Sequence, residues 1–506
     1  MPVATDASVL IVGAGPTGLL LAGDLAAVGV PVTVLERRES ESNLSRAFAV
    51  HARTLEMLDA RGLADELIST GQKLGRLGLF ETVSFDLSRL PTRFPFVLVT
   101  PQYHTERLLD RRARSLGAEI IRGSEVTGVR QDADQVHVDV RTANGATDTR
   151  RASYAVGADG VHSTVRHALR LPFPGRPVVR SVMLADVRLS APPTGILRAN
   201  AARAGFAFVA PFGDGWYRVI AWNRLRQVPD TEPVELDEIR EITRQAFGSD
   251  FGMHDARWMS RFHSDERQVP CYRSGRVFLA GDAAHVHSPA GGQGLNTGLQ
   301  DAANLSWKLA AVARGWDGDS LLDSYHAERY PVGRMVLRMS GGLLRLGLLE
   351  PGTLRRSLAL AGTAALQVRP VADKAARAIS GIGIGYPAGP GAHPLAGRRM
   401  PDVPLAAGRG RLYEILRGGR FVLLTAGDAA TAAAAWADRI EVAARRREHP
   451  RLILVRPDGY IAWASGEADP ARRDASLREA LTRWCGAPAD LADAQRMTGE
   501  RRTTAH

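Results

Sequence analysis

The sequence predicts an α/β protein with a parallel sheet crossed by helices, an inserted β-sheet region and a smaller C-terminal domain. Three observations lead to this prediction. The chain opens with a strand, a glycine turn, a helix and a second strand; residues 175–265 change to alternating strands; and residues 381–405 are dense in glycine and proline. With 506 residues, the chain has room for about three domains.

The N-terminal pattern is a βαβ unit. An apolar run over residues 8–12 predicts a buried strand, and Gly13-Ala-Gly-Pro-Thr-Gly18 follows it directly. Apolar residues then recur at helical spacing from Leu19 to Val28, and Val32–Glu36 predicts a second strand. This order predicts a Rossmann-like domain with a GxGxxG fingerprint at its first turn.

Each glycine of the fingerprint has a physical reason. Gly13 permits the tight turn, Gly15 lets the backbone approach a pyrophosphate, and Gly18 lets the helix pack on the strand. We expect the diphosphate on the unpaired N–H groups of the helix N-terminus. Glu36 ends the second strand, where its carboxylate can accept hydrogen bonds from ribose hydroxyls. The pattern therefore favours NAD or FAD over a 2′-phosphorylated nucleotide and leaves those two open.

Two further motifs lie downstream. The first is Gly157-Ala-Asp-Gly160, and the second, over residues 277–301, predicts a strand ending in Gly281-Asp282, a glycine-rich loop and a helix from about Leu295. An acid at a strand end can hold a polyol hydroxyl, and a glycine loop that enters a helix offers N–H groups to an anion. The His-Val-His segment at 285–287 could suggest a metal, but the sequence places no third ligand, so no metal site is predicted.

Together, the three motifs resemble those of the flavoprotein aromatic hydroxylases, the single-component FAD monooxygenases of the para-hydroxybenzoate and phenol hydroxylase type. Residues 1 to about 395 fit that pattern in order and spacing. The run Ser288-Pro-Ala-Gly-Gly-Gln-Gly-Leu-Asn-Thr-Gly298 is most similar to bacterial aromatic polyketide hydroxylases. The resemblance implies bound FAD, NADPH or NADH as a transient reductant, and O2 as co-substrate. It also implies a C4a-hydroperoxide that hydroxylates a polycyclic, phenolic polyketide.

The resemblance assigns roles to individual residues. It implies that Glu36 binds the adenosine ribose, that Asp159 serves both nucleotides, and that Asp282 contacts the ribityl chain. The N–H groups from Gly294 to Asn296 are expected near the isoalloxazine edge, where reduced flavin carries negative charge. The implied cofactor contacts are Gly13, Gly15, Pro16, Thr17, Gly18, Glu36, Arg37, Arg46, Gln102, Arg107, Val126, Asp159, Gly160, Asp282, Pro289, Gly292, Gly294, Leu295 and Asn296.

Candidate substrate contacts come from a predicted hairpin. Residues 204–211 and 216–222 alternate around a glycine turn and are rich in aromatic side chains. In the family, this position is the sheet that covers the substrate. Phe206, Phe208 and Trp222 could line the pocket or belong to the core, because alternation does not say which face is which.

Catalytic side chains are not identified, since the implied chemistry is centred on the flavin. His51 and Arg53 follow the Arg46 segment and are candidate substrate-side groups, although helix packing explains them equally well. Arg37 and Arg107 can likewise be ordinary surface arginines.

The last part of the chain predicts the order βαββα. The predicted elements are strands at 421–425, 452–455 and 460–463, an alanine-rich helix over about 428–446, and a helix over about 474–484. This order resembles the thioredoxin-like C-terminal domain of phenol and polyketide hydroxylases. The chain has no CxxC motif, so dithiol chemistry is excluded, and a packing or dimer-supporting role is favoured.

We predict four segments. They are a FAD-binding domain, first part (1–175), a substrate-covering β-sheet domain (176–265), a second part of the FAD-binding domain with long helices (266–395), and a thioredoxin-like C-terminal domain (396–506).

Composition narrows the function classes. The net charge of +11 comes from 65 basic and 54 acidic residues, and the basic residues are nearly all scattered arginines, so nucleic-acid binding is not expected. Two distant cysteines exclude a disulfide framework and a structural zinc site.

The apolar stretch Val9–Leu35 is broken by Asp24 and glycines, and the N-terminus has no basic leader region, so we expect a cytoplasmic protein without a membrane segment. The expected partner is a small aromatic substrate, and a homodimer or a monomer is possible.

Other functions stay open. The same oxygenated flavin could insert oxygen in a Baeyer–Villiger reaction on a related polyketide. The chain could also be a flavin-carrying protein that binds aromatic compounds, or confers resistance to them, without turnover. An oxidation-only dehydrogenase is a third possibility.

Overall fold

The protein is described from a computed structural model that covers residues 7–41, 47–79, 83–193, 197–316, 318–349, 352–425, 428–446 and 451–489. In chain order, its helices are α1 (Pro16–Ala27), α2 (Ala52–Asp59), α3 (Ala64–Ile68), α4 (Gln102–Ser115), α5 (Thr164–Ala168), α6 (Leu236–Phe247), α7 (Gln293–Ala313), α8 (Asp319–Leu348), α9 (Gly352–Gln367), α10 (Arg369–Ile379), α11 (Leu412–Ile415) and α12 (Pro470–Cys485). Short 3₁₀ helices cover Gly281–Ala283, Leu416–Gly418 and Asp428–Trp436.

The strands of the described residues fall into three main sheets and smaller pairings. They are β1 (Ala7–Val12), β2 (Val32–Glu36), β3 (Ala49–Val50), β4 (Gln72–Leu74), β5 (Arg76–Leu79), β6 (Val83–Asp86), β7 (Val97–Val99), β8 (Glu119–Arg122), β9 (Ser124–Gln131), β10 (Val136–Thr142), β11 (Thr147–Gly157), β12 (Gly175–Leu189), β13 (Arg198–Ala202), β14 (Gly205–Pro211), β15 (Tyr217–Asn223), β16 (Met253–Gln268), β17 (Arg273–Ser274), β18 (Val277–Leu279), β19 (His285–Val286), β20 (Phe421–Leu424), β21 (Ile440–Ala443), β22 (Leu452–Val455) and β23 (Ile461–Ser465).

The first sheet builds the nucleotide-binding domain. Its main path runs β17-β18-β11-β1-β2-β8, and β1 is parallel to both β11 and β2. The predicted βαβ unit is confirmed: β1 is buried, α1 begins at Pro16, whose missing N–H suits the first helical turn, and β2 ends at Glu36. Parallel order brings the carboxyl ends of β1, β11 and β18 to one edge of the sheet, where the three predicted motifs begin.

The second sheet runs β13-β14-β15-β12-β16-β19 and contains the predicted hairpin as β14 and β15, which is confirmed. Its strands alternate between two apolar faces. One face packs against α6 through buried side chains such as Met183, Val209 and Val219. The other face packs toward the nucleotide-binding domain.

The third sheet, with order β21-β20-β22-β23, forms the C-terminal domain together with α12. The predicted alanine-rich helix over 428–446 is wrong. A short 3₁₀ helix ends at Trp436, and Ile440–Ala443 instead adds a parallel strand beside β20. Alanine favours helix, but the β-branched Ile440 and Val442 gain a sheet partner and burial here, and tertiary pairing outweighs local propensity.

Buried ionic groups join the C-terminal domain to α7 and α8. Arg456 donates through Nη1 to Glu328 Oε1 at 2.7 Å and through Nη2 to Glu328 Oε2 at 2.9 Å, and its Nε donates to Asp458 Oδ1 at 3.0 Å. Lys308 Nζ donates to Glu328 Oε2 at 2.9 Å, and Trp307 Nε1 donates to Asp458 Oδ2 at 3.3 Å. We call these five residues the docking cluster.

The α/β fold class is confirmed by this arrangement, whereas the likeness of the last domain to thioredoxin stays a prediction. Among the helices of the described residues, none has the length and apolar character needed to cross a membrane.

Candidate functional site

The glycine turn has the geometry that its sequence predicts. Gly13 has a φ of +104°, and a Cβ there would lie 2.5 Å from the carbonyl oxygen of Ala158. A Cβ at Gly18 would lie 2.1 Å from the carbonyl oxygen of Gly13, so the helix can approach the strand only without a side chain. At Gly15, by contrast, a Cβ would meet nothing within 4 Å. The turn is therefore closed toward the protein and open where a diphosphate is expected.

Glu36 is buried beside this turn. Its Oε2 accepts from the backbone N–H of Ala14 at 2.7 Å, and its Oε1 accepts from the backbone N–H and the Nε of Arg38 at 3.0 and 2.9 Å. Burial opposes ionisation, but the hydrogen bonds from Arg38 and Ala14 outweigh it and lower the pKa of the carboxyl. Glu36 is thus an ionised acceptor next to the fingerprint.

Two grooves flank this end of the sheet. Arg37 is exposed and lines one of them with Gly123 and Glu125, close to the buried Val126 on β9. Arg107 lines the other with Ala14 and Glu106. The structure therefore brings Arg37, the segment of Val126 and Arg107 to the edge where the adenosine is predicted.

Gln102 fastens the start of α4. Its Oε1 accepts from the N–H of Ala47 at 3.1 Å, and its Nε2 donates to Glu106 at 2.6 Å. Arg46, which precedes Ala47, lies outside the described residues.

Asp159 follows β11. Its Oδ2 accepts from the N–H of Val165 at 3.2 Å, but its Oδ1 is buried with no hydrogen-bond partner among the described residues. Burial raises the pKa of this carboxyl. Gly160 has a φ of +81°, and a Cβ there would enter open space. An unpartnered oxygen beside an open glycine fits a site that a ligand completes.

The turn after β18 is closely packed against α1. Asp282 lies exposed in the 3₁₀ turn Gly281–Ala283. The hydroxyl oxygen of Thr17 would lie 2.8 Å from a Cβ at Gly281 and 2.5 Å from one at Gly298. Thr17 thus sets the spacing between α1, the Asp282 turn and α7, a role that the fingerprint alone does not reveal.

The loop before α7 closes on itself. The N–H of Gly292 donates to the carbonyl of Pro289 at 3.0 Å, and Gly292 has a φ of +61° as the N-cap of α7. A Cβ at Gly294 would meet nothing within 4 Å, and Leu295 is half-buried. Because α7 begins at Gln293, the N–H groups of its first turn have no partner within the helix, which is the geometry that suits an anion.

Asn296 is buried and structural through its side chain. Its Nδ2 donates to the carbonyls of Ala49 and Gly292 at 2.8 and 2.7 Å, and its Oδ1 accepts from the N–H of His51 at 2.9 Å. These bonds hold the first turn of α7 against β3 and α2.

His51 belongs to the same junction. Its Nε2 lies 2.8 Å from the carbonyl oxygen of Gly291, and its Nδ1 is buried with no partner among the described residues. Burial lowers the pKa of this imidazole to about 4, so it is neutral at pH 7 and donates from Nε2. The structure thus places His51 against the glycine-rich loop.

The prediction of Arg53 as a candidate substrate-side group requires a correction. Its Nη2 donates to the carbonyl of Asp458 at 2.6 Å, its Nη1 lies 3.2 Å from Glu56 and 3.3 Å from Tyr413, and it lies over the ring of Tyr460. The guanidinium is buried between α2 and the C-terminal domain and is a structural group. Sequence could not show this, because its main partners lie about four hundred residues away.

Residues 285–287 form a hydrogen-bonded pair of histidines. His287 Nε2 lies 2.7 Å from His285 Nδ1, and His285 Nε2 lies 2.6 Å from Asp301 Oδ2. Asp301 Oδ1 also accepts from Arg329 Nε at 2.7 Å. Sequence reasoning missed Asp301 and Arg329, because α8 carries many charged residues and nothing local marks Arg329 as the partner of Asp301. In the described part of the chain, no group of three or more His, Cys, Asp or Glu residues could hold a metal ion.

The predicted substrate residues share one face of the second sheet. Register pairs Phe206 with Trp222, and their rings stack at 5.8 Å. Phe208 lies one row further along the same face, 5.4 Å from the ring of Phe48 in the nucleotide-binding domain. Their neighbours Ala207 and Val209 point the other way, into the α6 core. We call the face formed by Phe206, Phe208, Trp222, Val182 and Phe262 the aromatic wall.

These features fit a flavin dinucleotide. The open positions at Gly15 and Gly294, the Asp159 oxygen without a partner among the described residues and the first turns of α1 and α7 supply a cradle and N–H donors along one edge of the sheet.

Comparison with known proteins supports a FAD-binding protein. A family profile described as "FAD binding domain" matches residues 6–340, and one described as "Aromatic-ring hydroxylase, C-terminal" matches residues 393–488. The chain is 41% identical over 507 residues to a 12-dehydrotetracycline 5-monooxygenase/anhydrotetracycline 6-monooxygenase of Streptomyces rimosus, covering 95% of this chain and 99% of the relative. It is 40% identical over 493 residues to a rifampicin monooxygenase of Streptomyces venezuelae, covering 95% and 98%.

A solved structure has the same fold. The anhydrotetracycline hydroxylase OxyS from Streptomyces rimosus matches with a TM-score of 0.85 and 40% identity, covering 96% of this chain and all of the other. The chain therefore belongs to the FAD-dependent aromatic-ring hydroxylase family of flavoprotein monooxygenases.

Proposed function

We propose that the protein is an NAD(P)H-consuming monooxygenase that hydroxylates a polycyclic, polyketide-type phenol. The aromatic wall carries this proposal, because it presents a broad, apolar and aromatic surface toward the nucleotide-binding domain beside Phe48. The relatives named for tetracycline and rifampicin compounds support a large ring system as ligand.

The flavin, when bound, supplies the redox chemistry that activates O2. The chain's own residues bind the flavin and orient the substrate. The N–H groups at the start of α1 hold the diphosphate, those at the start of α7 stabilise negative charge on the ring, and Asp282 holds the ribityl chain. Phe206 and Trp222 position the substrate ring and exclude water from it.

A transient site for the reductant belongs to the same proposal. The chain has one GxGxxG turn, so NADPH or NADH is proposed to dock at the surface of the first domain near Asp159 and Gly160.

The test is aromatic-stimulated oxidation of NADPH and, in parallel, of NADH. We expect anhydrotetracycline or a smaller polycyclic phenol to accelerate oxidation and to gain a hydroxyl group. A product with oxygen inserted into a ring or chain would establish the Baeyer–Villiger alternative. Absence of stimulation by every aromatic ligand would favour a flavin-carrying binding or resistance protein.

A further inference from the structure

Trp222 of the aromatic wall is fastened to the main chain by a hydrogen bond. Its indole Nε1 donates to the carbonyl of Arg180 at 2.9 Å, and its ring stacks on Phe206 at an interplanar angle of 29°. The indole N–H lies in the plane of the ring, so the hydrogen bond fixes one direction of that plane. Stacking opposes rotation of the ring about this direction. The two contacts together define the orientation of the Trp222 ring.

The carbonyl of Arg180 belongs to a bulge in β12. Val179 pairs with Ser264 and Val182 pairs with Phe262 on β16, so three steps along β12 match two steps along β16. One extra residue therefore interrupts the ladder, and such bulges re-aim the groups beside them. This bulge lies directly next to Val182 and Phe262, which are members of the aromatic wall.

Ser181, in the bulge, has a left-handed backbone. Its φ is +59°, and the residue is completely buried. Since φ describes rotation about the bond from the peptide nitrogen to Cα, this angle turns the peptide plane between Arg180 and Ser181 away from its orientation in a regular strand. The direction of the Arg180 carbonyl, which accepts from the Trp222 indole, therefore depends on φ at Ser181.

Arg261 stabilises this conformation of Ser181. A left-handed φ costs free energy for a residue with a Cβ, and it persists only where surrounding contacts enforce it. Arg261 Nη1 donates to Ser181 Oγ at 2.7 Å. The guanidinium is buried and also donates to Glu238 Oε2 at 2.8 Å and to the carbonyls of Glu232 and Pro233, each at 3.1 Å. Arg261 thus ties Ser181 to α6 and to the segment before it.

We propose that Ser181 is a positioning residue of the ligand site: through the bulge it fixes the ring plane of Trp222, and Arg261 maintains the backbone that this requires. A fixed ring plane favours ligands with several fused rings, which stack along a flat preorganised surface, over ligands with a single ring. Ser181 thereby determines specificity for polycyclic aromatic ligands, although it is itself buried. This inference rests on the proposed function, which places the ligand against the aromatic wall.

Ser181→Ala and Ser181→Gly separate this role from simple packing. Both variants lose the hydroxyl that Arg261 binds. Alanine keeps the Cβ and with it the strain at positive φ, so we expect the backbone to relax and the Arg180 carbonyl to turn away from Trp222. Glycine adopts a φ of +59° without strain, so we expect the indole bond to persist. Loss of side-chain volume alone would give the opposite order, because glycine leaves the larger cavity.

Hydrogen exchange of the Trp222 indole N–H reports on this bond. It is followed by nitrogen-15 NMR of the tryptophan-labelled holoenzyme, with Trp222→Phe to identify the signal. We expect protection in the wild type, exchange at least about tenfold faster in Ser181→Ala, and exchange within about twofold of wild type in Ser181→Gly. The indole of Trp307, which donates to Asp458, is the internal reference for overall stability. An unprotected Trp222 in the wild type, or equal exchange in the two variants, overturns the proposal.

Arg261→Met tests the same role from outside the bulge. It removes the donor to Ser181 and leaves Glu238 paired with Arg226. We expect it to accelerate exchange at Trp222 as Ser181→Ala does, but not when it is combined with Ser181→Gly. The control is Thr243→Ala, which removes a buried hydroxyl that donates within α6 and should leave Trp222 unchanged. An equal effect of Arg261→Met with serine and with glycine at position 181 contradicts the role of Ser181.

Ligand binding without turnover tests the specificity. Calorimetric titration of the oxidised holoenzyme with β-naphthol and with phenol gives the ratio of their Kd values. We expect tighter binding of β-naphthol to the wild type, and a Kd for it that rises about tenfold in Ser181→Ala but less than about twofold in Ser181→Gly, with phenol nearly unchanged. A wild type that does not distinguish the two compounds, or an unchanged ratio in Ser181→Ala, overturns the specificity role. Since NADPH is absent, failure of oxygen insertion is recognised separately.

Discussion

Gly15 and Gly18 belong to the same sequence motif but have different roles in the structure. Gly18 is required by contact inside the protein, since a Cβ would lie 2.1 Å from a carbonyl oxygen. A Cβ at Gly15 would meet nothing within 4 Å, and Gly15 has a φ of −80°, which any residue adopts. We therefore propose that the missing side chain of Gly15 serves the ligand and not the packing of the protein.

Alanine at each position separates these roles. We expect Gly18→Ala to lower the free energy of unfolding by roughly 1–3 kcal/mol, because the backbone must shift. Gly15→Ala should leave stability within about 0.5 kcal/mol of wild type but weaken FAD binding about tenfold or more, because the methyl group occupies the diphosphate position. Urea unfolding without FAD and a fluorescence titration with FAD measure the two effects. Equal FAD affinity in Gly15→Ala and wild type would show that the diphosphate does not bind at this turn.

The buried imidazole of His51 makes stability depend on pH. Its pKa is about 4 in the folded protein and 6.5 in the unfolded chain, so between these values the unfolded state binds the additional proton. Stability therefore falls as the pH drops from 6.5 to 4, by up to about 3 kcal/mol from this group.

The matched variant is His51→Gln, whose amide can still donate to the Gly291 carbonyl. Thermal unfolding followed from pH 7 to 4 should show a flatter profile in this variant than in the wild type. Parallel profiles would show that His51 titrates normally.

Local helices and strands were predictable from the sequence, whereas pairings between distant segments were not. Patterns of period 2 and 3.6 identified the βαβ unit and the β14–β15 hairpin, because both are local. These patterns do not show which face of the hairpin is turned toward the proposed ligand site, since Phe206 and Val209 are both apolar. The two faces are distinguished only by the packing of α6 against the Val209 side. The helix predicted over 428–446 failed because the partner of Ile440–Ala443 is the distant β20.

The two faces of the hairpin should respond differently to truncation. We expect Phe206→Ala to raise KM for a stimulating phenol roughly tenfold, because the variant removes a ring of the aromatic wall that we propose positions the substrate. Val209→Ala, on the α6 side, should cost about 2 kcal/mol of stability and leave KM unchanged. Steady-state kinetics and urea unfolding of both variants check this. An equal effect on KM from both faces would contradict the aromatic wall as a ligand surface.

In the whole molecule, arginine joins the domains. Arg53 and Arg456 are buried between the nucleotide-binding and C-terminal domains, which gives part of the arginine excess a structural purpose. No local pattern could show this, because the contacts that join the domains, Arg53 with Asp458 and Arg456 with Glu328, link residues that are distant in sequence.

Breaking the docking cluster should loosen the C-terminal domain. Arg456→Ala removes the buried ion pairs of Arg456 with Glu328 and Asp458 and leaves Lys308 as the paired cation of Glu328, and we expect a loss of about 3–5 kcal/mol in unfolding free energy. Arg130→Ala, which removes an exposed pair with Asp139, should cost at most about 1 kcal/mol. Guanidinium unfolding and limited proteolysis compare the two, and a similar small loss in both would show that the cluster does not hold the domain.

Oxygen labelling decides the function of the whole enzyme. Purified protein with FAD and NADPH is given a stimulating polycyclic phenol under oxygen-18 gas, and the product mass is measured. We expect one labelled oxygen atom in a new hydroxyl group. A converted product without label, or NADPH oxidation that yields only hydrogen peroxide with every phenol, would contradict aromatic hydroxylation by this protein.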